Sequence, residues 1–308
     1  MDVRQLRYFV TIARCGSFSR AAVELNVAQP ALSHHVANLE AELGVKLFDR
    51  STRGVVPTEC GHTLVTHANG ILRQMAQAVR DVQQTSSDPS GTVQIGLPTS
   101  VSMELTVPLL SAVGERYPAI TLKVNENYSG YLAEWVQAGE LDLAVLFDVA
   151  ETGPYNLTHL MTETLFLVTA PGGIADGQDS VDLARLDGLP LVVTSQSHGL
   201  RQVLERHSEQ KTLTLSIKHE LDSLDAIKKL VAAGHGHTVL PWCAVQSECR
   251  RGVLCAAEIR NPQILRHVDL AAGRDWPQSR AAEVVGEVVV GLVRDLVESD
   301  RMRGTLTP

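Results

Sequence analysis

Residues 16–44 read GSFSRAAVELNVAQPALSHHVANLEAELG. Ser17 and Ser19 are residue types that cap helix starts. Ser19–Leu25 reads as a short helix that turns Ala21, Ala22 and Leu25 inward, and two adjacent alanines let another helix come close. Asn26 and Val27 make a tight turn. Pro30 suits the first turn of the next helix, where its missing N–H goes unneeded. That helix runs to Leu43 with Leu32, Val36, Leu39 and Leu43 on one face, and Gly44 supplies the stop. Two short helices around a tight turn form a helix-turn-helix. The exposed start of the second helix carries Gln29, Pro30, Ser33 and His34. Glutamine can bond adenine through two hydrogen bonds in the major groove, and serine can donate or accept. The alternative is that these residues only cap and solvate a helix.

Upstream, Leu6, Phe9, Val10 and Ala13 predict an amphipathic helix over about residues 3–14, ended by Gly16. Downstream, Lys46–Thr58 reads as two short strands around a turn, with Arg50 and Arg53 near the tip. That is a wing, where arginine binds phosphate or enters a narrow minor groove. Thr58 caps a long helix from Glu59 to about Gln84, in which Leu64, Ala68, Ile71, Leu72, Met75, Val79 and Val82 follow nearly a seven-residue repeat. A stripe so far from any other core is best covered by a second copy of the helix. Leu64, Ile71, Leu72, Met75 and Val79 are therefore expected in a dimer seam, with docking inside the chain as the alternative.

The chain has 308 residues, enough for two or three folding units, and is 44% hydrophobic and 20% charged, ordinary for a soluble protein. No apolar run approaches the roughly 20 residues that span a bilayer, and the N-terminus lacks a signal-peptide pattern. A cytoplasmic location and no membrane partner are the default expectations. Net charge is −8, yet residues 1–88 hold nine basic and eight acidic side chains, so the acidity lies in the remainder and the N-terminal segment is free to approach phosphates. Five cysteines, odd in number and without a CxxC pair, argue against a disulfide framework or a zinc site. The even spacing of Cys243, Cys249 and Cys255 leaves a redox pair open beside the plainer reading of small buried hydrophobes.

Residues 85–91, TSSDPSG, form a polar linker, after which the period changes. Val93–Leu97, Ile120–Val124 and Leu141–Leu146 read as strands. A helix from Ser100 or Ser102 to Arg116 and another over Leu132–Ala138 separate them. A second unit follows. Leu165–Thr169, Leu189–Val193, Leu213–Ile217 and His237–Leu240 read as strands, with a helix opening near Gly199 and another capped by Asp222 and ending at Gly234. Leu265–Ala272 is a strand and Ala281–Glu298 a final helix. Alternating strands and helices indicate a mostly parallel α/β sheet.

Leu6-Arg7-Tyr8-Phe9, Gly16-Ser17-Phe18, Ala21-Ala22, Gln29-Pro30-Ala31-Leu32-Ser33, Leu39-Glu40, Leu43-Gly44, Leu47-Phe48-Asp49-Arg50 and Pro57-Thr58 together resemble the N-terminal signature of LysR-type transcriptional regulators. The match covers residues 1–65 nearly without gaps, and Ala28–Leu43 resembles the nitrogen-assimilation-control branch most. The position of His34 often holds another polar or basic residue in that family. The resemblance implies a winged helix-turn-helix over 1–58, a dimerisation helix and hinge over 59–91, and an α/β effector domain over 92–308. That domain would have two lobes joined by crossing strands, similar to periplasmic binding proteins. Lobe I would take about 92–162 and 267–308, and lobe II about 163–266. A homodimer or homotetramer on double-stranded DNA with a dyad-symmetric promoter site follows from the same resemblance.

In such sheets ligands sit at the carboxyl ends of strands, near helix starts. Pro98–Ser102 and Ser195–Arg201 are two such loops, offering Thr99, Ser100, Ser195, Ser197, His198 and Arg201. Facing each other across a cleft they would suit a small carboxylate or sulfonate, with Tyr128 and Phe147 lining its apolar part. Simple helix capping is the alternative for each loop. His235 and His237 alternate as metal ligands on one strand face would, but glycines around a helix end explain the motif better. No metal, cofactor or catalytic residue is expected: GxSxG, the P-loop, HExxH and a Cys–His signature are absent. A cytoplasmic solute-binding protein would leave the helix-turn-helix and wing unexplained.

Overall fold

Asp2 opens the first helix, α1 (Val3–Cys15), by accepting from the Gln5 N–H, and the Gln5 side chain accepts from the Asp2 N–H in return, each at 2.8 Å. This reciprocal pair satisfies two donors that a helix start leaves open. In this computed structural model, which describes residues 1–306 apart from 52–53, 84–87, 197 and 276, α2 (Phe18–Glu24) is capped by Ser17 and α3 spans Gln29–Leu43. Gly44 ends α3 at φ +70°, a left-handed conformation that costs glycine little. Phe9, Ile12, Leu32 and Leu39 are buried where the three helices meet, each contributing about 1.5–3 kcal/mol by leaving water. Leu43, expected on that face, is 40% exposed, because the last turn of α3 runs past the small core.

The wing is β1 (Phe48–Ser51) paired antiparallel with β2 (Gly54–Pro57). Glu40, buried near the end of α3, accepts from the Leu47 N–H at 2.9 Å and from Lys46 at 2.7 Å, pinning the wing to that helix. Thr58 Oγ1 accepts from the Gly61 N–H at 3.0 Å and starts α4 (Glu59–Gln83).

The α/β part begins with β3 (Gly91–Leu97), α5 (Thr99–Arg116), β4 (Ile120–Glu126), α6 (Ser129–Gln137) and β5 (Leu143–Phe147). The helix expected at Ser100 or Ser102 starts at Thr99 instead. β3 pairs in parallel with both β4 and β5. β6 (Tyr155–Thr169) is 15 residues long, where the sequence pattern marks only its last five as strand. There follow β7 (Ser180–Asp182), β8 (Pro190–Val193), α7 (Gly199–Gln210), β9 (Ser216–Glu220), α8 (Leu224–Ala232), β10 (Thr238–Pro241), α9 (Trp242–Arg250), β11 (Cys255–Arg260), β12 (Leu265–Gly273), α10 (Arg280–Glu298) and β13 (Gly304–Leu306). The strand expected at Leu213–Ile217 is β9, shifted by three residues. Ser223, not Asp222, caps α8 by accepting from the Ala226 N–H.

β6 joins the two lobes. Its residues Tyr155–Thr164 pair with β12, which also pairs with β5. Its residues Leu165–Thr169 pair with β10 and β11. One core gathers Ile95, Leu105, Val145, Val268 and Val289; the other gathers Leu167, Leu191, Val203, Val231 and Val245. The chain thus leaves lobe I on β6 and returns on β12 and α10.

Gly70 of α4 approaches the carbonyl of Ala138 so closely that a Cβ there would lie 2.2 Å from its oxygen. One turn on, the Arg73 side chain donates to the Glu140 carbonyl and lies 3.9 Å from the Asp142 carboxylate. The long helix is therefore seated on lobe I of its own chain.

Candidate functional site

The first candidate surface is the start of α3. Gln29, Pro30 and His34 are exposed and Ser33 half-buried, while Leu32 and Val36 behind them are buried. Gln29 Nε2 donates to Ser33 Oγ at 3.0 Å, and His34 Nε2 lies 3.2 Å from Asn38 Nδ2. The two bonds tie neighbouring polar side chains together along one outward face. The Arg50 side chain and Arg53 lie outside the described residues.

The proposed seam divides. Leu64 packs beside Val65 on the winged-helix core of its own chain, because the first turns of α4 lie across α1. Leu64 thus has packing partners within its own chain and is half-buried there. Ile71 and Leu72 are half-buried, and Met75 and Val79 are 45% and 55% exposed. The Val82 side chain lies outside the described residues.

The second candidate is a cavity of about 630 Å³ between the lobes. Thr99, Ser100, Tyr128, Phe147 and His198 of the expected residues line it. Pro98 and Tyr128 precede α5 and α6 with no side-chain cap on the helix start, so free N–H groups lie at that wall. Ser195 and Arg201 are not among the lining residues. Arg201 is buried and held by Glu205 at 2.7 Å and Glu220 at 3.5 Å, so its charge is spent within lobe II. The Ser195 N–H donates to Asp222 at 2.9 Å, and Ser197 lies outside the described residues.

His198 Nδ1 accepts from the Leu200 N–H at 3.2 Å. Burial, together with the nearby Arg266 charge, lowers the imidazole to about 4 although Asp222 opposes the shift. The ring is neutral at neutral pH, and with Nδ1 accepting, its proton sits on Nε2 as a donor. The Tyr128 ring meets it edge-on at 4.8 Å.

Arg266 lines the same cavity and was missed in the sequence. It is 2% exposed on β12, with its guanidinium 3.6 Å from the centre of the Phe147 ring. Its Nε donates to Glu163 Oε1 of β6 at 2.6 Å, and Nη2 lies against that same oxygen in the ion pair. Burial pushes the Glu163 carboxyl up despite the arginine beside it. The only sequence signal was a charged residue inside an apolar strand, which requires a buried partner.

Among the described residues no group of three or more His, Cys, Asp or Glu side chains could hold a metal. Gly234 ends α8 at φ +76°, as the helix-end reading of the His235 and His237 motif requires. No helix among them is long and apolar enough to cross a membrane.

A winged helix-turn-helix carried by a long helix on a two-lobed α/β domain with a cleft defines a DNA-binding regulator with a sensing domain. The chain belongs to the LysR family of transcriptional regulators: residues 3–62 match the bacterial regulatory helix-turn-helix protein model of the lysR family, and residues 86–293 match the LysR substrate binding domain. Its homologues are regulators and not enzymes. The chain is 35% identical to the nitrogen assimilation regulatory protein nac of Klebsiella aerogenes over 95% of both chains. It is 34% identical to that of Escherichia coli K12 over 98% of both. A full-length OxyR variant from Pseudomonas aeruginosa superposes with a TM-score of 0.73 at 27% identity, covering 96% of this chain and 95% of that one. CbnR complexed with its target DNA shares the fold, with a TM-score of 0.56 at 21% identity over 95% and 100% of the two chains.

Proposed function

We propose that the protein is a cytoplasmic homo-oligomeric regulator, a dimer or tetramer, whose binding to a dyad-symmetric promoter site is modulated by a small anionic effector held between the lobes. Gln29, Ser33 and His34 read base edges beside Pro30, and Arg50 and Arg53 hold the backbone. Ile71, Leu72, Met75 and Val79 form the seam between two copies of α4. Thr99, Ser100, Tyr128, Phe147, Ser197 and His198 contact the effector, joined by Arg266. The observation that carries the effector reading is the 630 Å³ cavity onto which uncapped helix starts and a buried guanidinium converge. A carboxylate or sulfonate matches those donors.

A thiol-based signal is not favoured. No cysteine among the described residues lines the cavity. Burial pushes Cys243 well up, Cys249 to about 11, and Cys255, which donates to Asp176, up as well, so thiolates are scarce. Calorimetry of small carboxylates and sulfonates against the full-length protein, with mobility shift on promoter fragments, tests the reading. Effector binding that leaves promoter affinity and footprint unchanged would overturn it.

A further inference from the structure

The cavity is not lined by one sign of charge. Arg266 and Arg206 face it together with Glu134, Asp148 and Asp222. Arg266 is already balanced by Glu163, its buried partner. The remaining lining charges are one exposed arginine against three exposed carboxylates. An effector carrying only negative charge would be drawn to Arg266 and repelled by the wall around it. A ligand with an added cation removes that conflict.

The three carboxylates are placed differently. Asp148 holds the local backbone in place. Its own φ is left-handed at +48°, and Oδ1 accepts from the His267 N–H at 3.0 Å. Asp222 lies in lobe II just before α8, with Oδ1 accepting from the Ser195 N–H. The Tyr128 hydroxyl of lobe I donates to the Asp222 carbonyl, so this carboxylate stands where the lobes meet. Glu134 on α6 brings a second carboxylate from lobe I, near the Tyr155 ring whose hydroxyl it raises after burial has done so first. The Tyr128 and Tyr131 rings line the same wall, and aromatic faces attract a desolvated ammonium. His198 lines the same cavity and feels both charges, Arg266 lowering its pKa after burial and Asp222 opposing.

We infer that the effector is a small amine-bearing carboxylate, an amino acid in the broad sense. Its carboxylate is held by Arg266 and the start of α5, and its ammonium by Asp222 and Glu134. The inference rests on the effector-cleft reading above and deepens it. Arg266 lines the cavity beside the uncapped start of α5, so the anionic end meets a guanidinium and helix N–H groups together. Contact with Asp222 gives the cationic end a partner in the opposite lobe, so one molecule ties both lobes together.

The test is calorimetry on the full-length protein with the twenty standard amino acids, each beside its deaminated carboxylate and its decarboxylated amine. At least one amino acid is expected to bind at least tenfold more tightly than both of its analogues. Asp222→Asn keeps an oxygen for the Ser195 N–H and removes the charge. It should weaken that amino acid about tenfold while leaving the deaminated carboxylate unchanged, and Glu134→Gln, at an exposed position, should act in the same direction. If carboxylates bind as tightly as their amino acids, or if Asp222→Asn weakens both alike, the zwitterion inference fails and the anionic effector stands. If neither amino acids nor carboxylates bind, both fall.

Discussion

The Tyr128 hydroxyl donates to the Asp222 carbonyl, so the two lobes touch directly across the cavity at a point that also carries the Tyr128–His198 ring contact. Tyr128→Phe keeps the ring and removes the bond. It should cost about 1 kcal/mol of stability and speed amide exchange at Asp222–Ser223 with little change elsewhere. Unchanged exchange there would show that the bond does not hold the lobes together.

His198 should titrate far below an ordinary histidine. Its folded value is lowered to about 4, so the fold favours the neutral ring. Its stabilising contribution is then complete above the unfolded value of about 6.5 and is lost as pH falls toward 4. Ring carbon shifts by NMR should show a neutral imidazole at pH 6, and His198→Asn should flatten the stability slope between pH 6.5 and 4. A midpoint near 6.5 would place the ring in water.

Gln29→Ala should weaken specific promoter binding by about 1–3 kcal/mol and spare binding to unrelated duplex. Ser33→Ala removes the acceptor that orients Gln29 at 3.0 Å and should give a smaller loss in the same direction. Equal losses on both duplexes would mean that Gln29 contacts only the backbone.

Met75 and Val79 are each about half exposed in the single chain. Glutamate at both positions should therefore leave the subunit's melting temperature nearly unchanged while splitting the assembly, since a charge buried in a seam without a partner is costly. Sedimentation should show a lighter species, and affinity for a two-half-site promoter should collapse because the sites are no longer engaged together. An intact assembly would move the seam elsewhere.

Gly70→Val puts side-chain atoms where even a Cβ lies 2.2 Å from the Ala138 oxygen. The helix must shift, and Arg73 must leave the Glu140 carbonyl. The expected result is a sensing domain that still folds and binds effector, with promoter affinity no longer responding to it. A normal response would show that the signal bypasses this contact.

The helix-turn-helix was legible because its determinants are local: Ser17 caps α2, Gly44 terminates α3, and Leu32, Val36 and Leu39 keep a helical period. The first ten residues of β6 were not. Asn156, Thr158, His159, Thr162 and Thr164 carry no apolar run to mark a strand, and only pairing with β12, about a hundred residues later, makes them one. Arg266 hid for the same reason, since its partner Glu163 is 103 positions away. Arg201 misled in the opposite sense. Its place at a helix start suggested a ligand, yet Glu205 one turn on was already there to hold it. α9 also escaped, although Cys243 and Val245 on its inner side are buried in the two lobe cores.

The seating of Gly70 on Ala138 has a mechanical meaning. From that contact to Glu59, where the winged unit begins, α4 is a rod about 17 Å long at 1.5 Å per residue. A tilt of about 10° at the pivot swings the head by about 3 Å, close to the axial rise of about 3.4 Å per phosphate of one strand. The joint is thus a short lever arm, and a rocking too slight to change the shape of either lobe is enough to move the wing by one step along the duplex.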